Sequence, residues 1–240
     1  RNIPFIIGSG RIIMPDNFIQ FVKKSPTAYH ATENVILSLK NYNFAELKLK
    51  EKWEIQRGGM YYIKINHSTV IGFAIGKKFK AGSGFSIIAS HTDSPCLKLK
   101  PNHTFTKEGY RMINVQTYGG GIWHTWFDRD LTLAGIVSVK KNEGISSKLV
   151  HIQKPILRIP QIAIHLQRNM NENLAINTET QLIPIISLDT SKSEPPNDVF
   201  QTFFKKGGFL IKYYCTCAKR KINRYHRHGF KRGRLSTTSK

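Results

Sequence analysis

Acidic residues are scarce in this 240-residue chain: 15 Asp and Glu stand against 37 Lys and Arg, and none follows Asp198. Cysteine is scarcer still. Cys96, Cys215 and Cys217 cannot form an even disulfide framework, and a Cys-x-Cys pair is too tightly spaced for a zinc knuckle. A reducing compartment, and hence a cytoplasmic location, is the simpler expectation. Apolar runs of the roughly 20 residues that a membrane helix requires are missing too, which argues against a helical membrane protein. Arg1 to Ile13 has an apolar centre, but Gly8 and Gly10 interrupt it and no small-residue cleavage pattern follows, so it does not read as a signal peptide. The Gly119-Gly-Gly121 run lacks the Lys-Ser/Thr of a phosphate-binding loop; a tight backbone turn is the better reading.

The formal charge of +22 suggests an anionic partner until its distribution is considered. Twelve of the positive charges lie beyond Asp198, leaving a moderately basic +10 on the first 198 residues. Nucleic-acid binding through this tail, with its interleaved Tyr and Phe, is therefore the competing functional class rather than the leading one. At 40% hydrophobic and 11% aromatic, the chain is of globular composition, with room for one or two domains.

Phe18, Phe21 and Val22, then Val35, Ile36 and Leu39 beyond a Ser25-Pro26 break, have the spacing of helices with one apolar face. Ser25 is placed to cap the second helix, Ala28 to Leu39, with Pro26 in its first turn. Tyr61 to Ile65 and Thr69 to Ile75 read as a hairpin closed by Asn66-His67-Ser68. Past Pro101 the β-rich segments Met112 to Tyr118, Leu131 to Val139 and Leu149 to Ile152 predict a compact, mostly-β unit.

Between these regions Phe85-Ser-Ile-Ile-Ala89 is short, apolar and β-rich, the pattern of a central strand covered on both faces. Pro95 is expected to end it. Just after the run stand His91 and Asp93, at the end of a strand where ligands gather in open α/β sheets. A metal-bound imidazole needs an acceptor on its second nitrogen to fix tautomer and orientation. Asp93 is placed to be that acceptor for His91, although an isolated His-x-Asp is by itself a weak signal, for which a turn with a satisfied histidine is the favoured reading.

Longer strings carry more information. Ser90-His-Thr-Asp-Ser-Pro-Cys-Leu-Lys-Leu-Lys100, Tyr118-Gly-Gly-Gly-Ile-Trp123, Thr125-Trp-Phe-Asp-Arg-Asp-Leu-Thr-Leu-Ala-Gly135, Ile156-Leu-Arg-Ile-Pro160 and Ile164-His-Leu-Gln-Arg-Asn169 together resemble the aspartyl aminopeptidase family of metallopeptidases, in the family's order, from about Met14 to Leu188. The resemblance implies an α/β fold: the front part of a three-layer zinc-exopeptidase-like catalytic domain, interrupted by an inserted β-rich oligomerisation domain. It implies removal of N-terminal Asp or Glu from peptides, two zinc ions per complete site, and a homo-oligomer, dodecameric in the family. It makes His91 a metal ligand and Asp93 its orienting partner. His165 becomes a residue that reaches a neighbouring subunit's active site and contacts substrate there.

On this basis residues 1–13 read as a leader outside the family's frame, 14–100 as the front of the catalytic domain, 101–198 as the incomplete inserted domain and 199–240 as an unstructured or unrelated basic tail. The tail reads first as frame-shifted or non-coding sequence, then as a basic extension, then as a nucleic-acid-binding segment. Asp128-Arg-Asp130, among Trp123, Trp126 and Phe127, is expected to form a local ion-paired network rather than a metal site. His124 and His151 are expected to be structural. A zinc site of this type needs further His and carboxylate ligands and a general-base glutamate. The sequence after Leu188 offers no Glu-Glu pair and only His226 and His228, so the expected form is truncated and catalytically incomplete.

Overall fold

The computed structural model describes residues 16–141, 144–189 and 210–219. Two helices open it, α1 (Asp16–Lys24) and α2 (Ala28–Asn41). Thr27, not Ser25, caps α2: its backbone is extended, and its Oγ1 accepts the His30 N–H at 3.4 Å. Ser25 instead accepts a hydrogen bond from Asn34 Nδ2 (3.0 Å), and the same amide donates to the Lys24 carbonyl (2.9 Å), fastening the end of α1 to α2. Ala31, Thr32 and Ile36 form the buried stripe of α2.

Among the described residues there are two sheets. In the smaller one, β1 (Ala45–Glu46) lies parallel to β2 (Met60–Ile65), and β2 pairs antiparallel with β3 (Thr69–Ala74). The β2–β3 turn is the one read from sequence, Ile65 facing Thr69 across Asn66 and His67, both in the left-handed region. Helix α2 lies on β3 so closely that a Cβ at Gly72 would come within 3.3 Å of the Leu39 side chain. An ion pair between Lys64 and Glu33 adds a polar tie between helix and sheet.

The larger sheet is built from β4 (Cys96–Lys107), β5 (Tyr110–Tyr118), β6 (Leu131–Lys141), β7 (Gly144–His151), β8 (Ile185–Leu188) and β9 (Leu210–Lys219), in the spatial order β7-β6-β9-β4-β5-β8. Every pairing is antiparallel. Strands β4 and β5 join through Glu108 and Gly109, both at positive φ, a two-residue turn whose twist matches that of the strands. Leu97, Ile113, Val115, Leu131, Leu133 and Val137 pack with Trp126, Leu157, Ile159 and Leu182 into one core.

Two further expectations are corrected here. Phe85 to Ala89 is not in a strand and is not buried: Phe85 is 85% exposed, Ile87 81% and Ile88 100%. A strand exists through its ladder, and among the described residues none pairs with this run. The strand begins instead at Cys96, directly after the proline expected to end one, and Pro101 is accommodated within β4 where the register shifts between Leu99 and Thr104. The second concerns 199–240: its ten described residues, Leu210–Lys219, form β9, hydrogen-bonded between β6 and β4, with Gly135 opposite Cys215 and Leu97 opposite Cys217. The leader 1–13 and the rest of 199–240, with His226 and His228, lie outside the described residues.

Candidate functional site

The segment from Ser90 to Cys96 crosses from the small sheet to the large one. At the first end, Thr92 donates its hydroxyl to the Ser68 carbonyl in the β2–β3 turn (2.9 Å). At the other, Cys96 opens β4 opposite Tyr118, the last residue of β5. Gly119 then turns the chain at φ +74°, where a Cβ would lie 3.5 Å from Pro95. The glycine run is thus the tight turn read from sequence, closed against the segment that carries His91.

His91 and Asp93 meet as the spacing suggests. Nδ1 of His91 lies 3.0 Å from Asp93 Oδ1 and 2.9 Å from the Asp93 backbone carbonyl. Both neighbours are acceptors, so the proton sits on Nδ1 and the lone pair is left on Nε2. That tautomer suits an imidazole that ligates a metal through Nε2. The ring is 82% exposed and borders a cleft of about 1370 Å³, which Lys98, Tyr118, Trp126 and His151 also line.

The other carboxylate oxygen of Asp93 accepts from Tyr118 Oη at 2.6 Å, and Lys98 Nζ stands 3.4 Å above the centre of the Tyr118 ring. The Tyr118 hydroxyl, and next the His91 N–H, hold the Asp93 carboxyl below the usual carboxylate range, while the hydrogen bond to Asp93, and next its charge, raises the Tyr118 phenol. Tyr118 and Lys98 escaped residue-by-residue reading, because their approach to Asp93 follows from the β4–β5 register rather than from local spacing.

His151, at the end of β7, packs edge-on against His30 of α2, with ring centroids 5.9 Å apart. Burial, then the neighbouring His151, lowers the His30 pKa to about 4, and His30 Nδ1 lies 2.8 Å from Thr27 Oγ1. His124 is exposed on a 3-10 turn, Trp123–Trp126. His165 is exposed between Ile164 and Leu166, which are exposed as well, and does not line the cleft. Asp128 sits at φ +51° and donates its N–H to the Ile159 carbonyl (2.9 Å). Its carboxylate pairs with Arg158 at 3.5 Å and accepts from the Gln161 N–H at 3.4 Å. The cation that Asp128 meets thus comes from the next segment of the chain, Ile156–Pro160, rather than from within the Asp-Arg-Asp motif.

Among the described residues no three His, Cys, Asp or Glu side chains converge as a metal cage. No described helix is long and apolar enough to cross a membrane.

Residues 21–223 match the family model described as aminopeptidase I zinc metalloprotease, M18. Aspartyl aminopeptidase 1 of Schizosaccharomyces pombe is 48% identical over 176 residues, 72% of this chain and 37% of that protein. Aspartyl aminopeptidase of Dictyostelium discoideum is also 48% identical, over 180 residues, again 37% of its length. Among solved structures, the complex of Ape4 and Nbr1 matches with a TM-score of 0.78 and 38% identity, covering 85% of this chain and 43% of that one. The S. cerevisiae mApe1 dodecamer matches with a TM-score of 0.69 and 29% identity, over 86% and 48%. The chain therefore spans less than half the length of these relatives. With a family match across most of its residues and the mixed α/β architecture shared with these structures, the chain belongs to the M18 family of aminopeptidase I zinc metalloproteases.

Proposed function

We propose that this chain forms the front of a cytoplasmic zinc aminopeptidase that releases Asp or Glu from peptide N-termini, with residues 14–100 in the catalytic domain and the following β-rich residues in an inserted, assembly-forming one. The observation that carries the reading is the His91–Asp93 pair, whose Nδ1–H is committed to two acceptors and whose Nε2, beside a cleft, meets no partner among the described residues. An imidazole in that state fits zinc as one ligand; the described residues supply no further set, and the complete site takes two ions from more protein than is described.

Zinc, when bound, supplies the positive charge that polarises the scissile carbonyl. The chain's own residues prepare for it. Asp93 keeps the His91 proton on Nδ1, so that the ring needs no change of tautomer on metal loading. Exposed Ile162, Ile164 and Leu166 surround His165 with apolar surface of the kind an interface covers, which supports its assignment to a neighbouring subunit's site. Assembly as a homo-oligomer, like the mApe1 dodecamer, is part of the proposal.

The test is a chimera in which residues 21–188 replace the matching part of the S. pombe aspartyl aminopeptidase. Release of N-terminal Asp from a peptide, lost together with bound zinc on His91→Ala, is the expected result. An assembled chimera whose zinc content and activity are indifferent to His91→Ala refutes the site.

A further inference from the structure

We propose that Tyr118 is a positioning residue for the metal site: its hydroxyl locks the Asp93 carboxylate in the orientation that holds the proton on His91 Nδ1. The inference rests on the reading of His91 as a zinc ligand and adds that the β-rich sheet, not the helical front of the chain alone, sets the state of that ligand.

The geometry is a relay of three groups. Tyr118 Oη donates to Asp93 Oδ2 at 2.6 Å, and Asp93 Oδ1 accepts from His91 Nδ1 at 3.0 Å, sharing that N–H with the Asp93 backbone carbonyl at 2.9 Å, so Tyr118 acts on the carboxylate's share of the hold. A carboxylate turns readily about its terminal torsion, and an exposed one gains little by staying in one orientation. Asp93 is 44% exposed on its side chain, so burial does not hold it. A second hydrogen bond on the opposite oxygen does, because rotation then breaks two charge-assisted bonds at once.

Tyr118 is itself held at both ends. Its backbone is fixed by the Cys96–Tyr118 pair of the β4–β5 ladder, and its ring lies beneath the Lys98 ammonium at 3.4 Å. Gly119, at positive φ and folded against Pro95, lets β5 end within reach of the His91 segment.

The experiment needs no metal, which separates it from the zinc assignment. Long-range proton–nitrogen spectra of the full 240-residue chain with labelled histidine, at a pH where imidazoles are neutral, report the Nδ1–H to Nε2–H ratio of His91; His91→Gln assigns the signal. Tyr118→Phe is expected to lower that ratio about threefold, as loss of one modest hydrogen bond does. In an Asp93→Ala background, Tyr118→Phe should change nothing. An unchanged or raised ratio in Tyr118→Phe overturns the proposal, as does an equal effect with and without Asp93, which would mean that Tyr118 acts on the ring by another route. In the unsubstituted chain, which carries no destabilising replacement, the Hα–Hβ couplings of Asp93 should report a single χ1 rotamer; averaged couplings also overturn it. If instead these results hold while His91→Ala leaves zinc binding intact in the chimera, the relay stands and the ligand assignment falls.

Discussion

Acid should loosen the junction between helix α2 and strand β7. There His30 is held neutral by burial and by His151, its pKa lowered from 6.5 to about 4. Burial lowers His151 as well. A histidine whose folded pKa is depressed costs nothing above pH 6.5, where it is neutral both folded and unfolded. As pH falls below 6.5 the unfolded chain takes up a proton that the folded chain refuses, so stability is lost progressively until pH reaches about 4. From pH 7.5 to 5 the unreduced effect of His30 is about 2 kcal/mol, and solvent around a partly buried pair brings it to about 1 kcal/mol. For a chain of this size that is a fall of about 2–4 °C in Tm. Melting curves at pH 7.5, 6.5, 5.5 and 5, recorded for the wild type and for His30→Gln, isolate the contribution. The variant should melt lower at pH 7.5, through loss of the Thr27 and His151 contacts, yet with a shallower decline towards pH 5. An NMR titration of the His30 ring with a midpoint near 6.5, or an equally steep decline in His30→Gln, would refute the reasoning.

Leu133→Ala, in the centre of the large-sheet core, should cost about 2–5 kcal/mol in a urea melt, whereas truncating exposed Leu166 should leave the midpoint nearly unchanged. Thr27→Ala removes the α2 cap and should destabilise by about 0.5–2 kcal/mol, with Ser25→Ala costing less; the reverse order in a urea melt contradicts the capping role of Thr27. In the S. pombe chimera, Asp93→Ala should weaken zinc binding about 10–100-fold and leave a residual site, read by chelator competition. His165→Ala should slow turnover about 10²–10³-fold with zinc content unchanged. Mixing inactive His91→Ala and His165→Ala chimeras should restore part of the activity, because only a cross-subunit contact lets two defective chains build one intact site; a mixture that stays inactive after reassembly contradicts that role.

Local signals in the sequence translated well where structure is local. The β2–β3 hairpin followed from alternating β-formers around a compact turn, and β5, β6 and the end of β7 from β-rich segments, while Gly144–Lys148 of β7 went unread. Strand β4 was hidden by its own prolines: Pro95 stands just outside the ladder and Pro101 at a register shift, and neither position is visible before the pairing is known. In Phe85 to Ala89 the residues record an environment they are suited to, while a strand also needs neighbours, which no single stretch can declare. Ser25 and Thr27 were both competent caps; two residues of offset around Pro26 decided between them. For β9, the aromatic and β-branched residues Ile211, Tyr213, Tyr214 and Thr216 were overshadowed by the basic composition of the segment around them. The His91–Asp93 pair was legible as a spacing, but the proton's position needed the two acceptor distances, and Tyr118 needed a register set across two strands.

The order of the large sheet has a temporal side. Hairpin β4–β5 and hairpin β6–β7 are complete once residue 151 exists, yet the strand that lies between them, β9, ends at Lys219. At about 5–20 residues per second of synthesis, hairpin β6–β7 waits roughly 3–14 seconds and hairpin β4–β5, complete at Tyr118, roughly 5–20 seconds, each with an open edge facing the gap that β9 fills. Both edges are unpaired backbone for that interval, and the strand that closes them is recruited from far along the chain, which makes this pairing slow to find. Folding of this sheet is thus a race between intramolecular closure by Leu210–Lys219 and edge-to-edge association with another nascent copy, and its yield should fall with concentration and with anything that delays the arrival of that last strand.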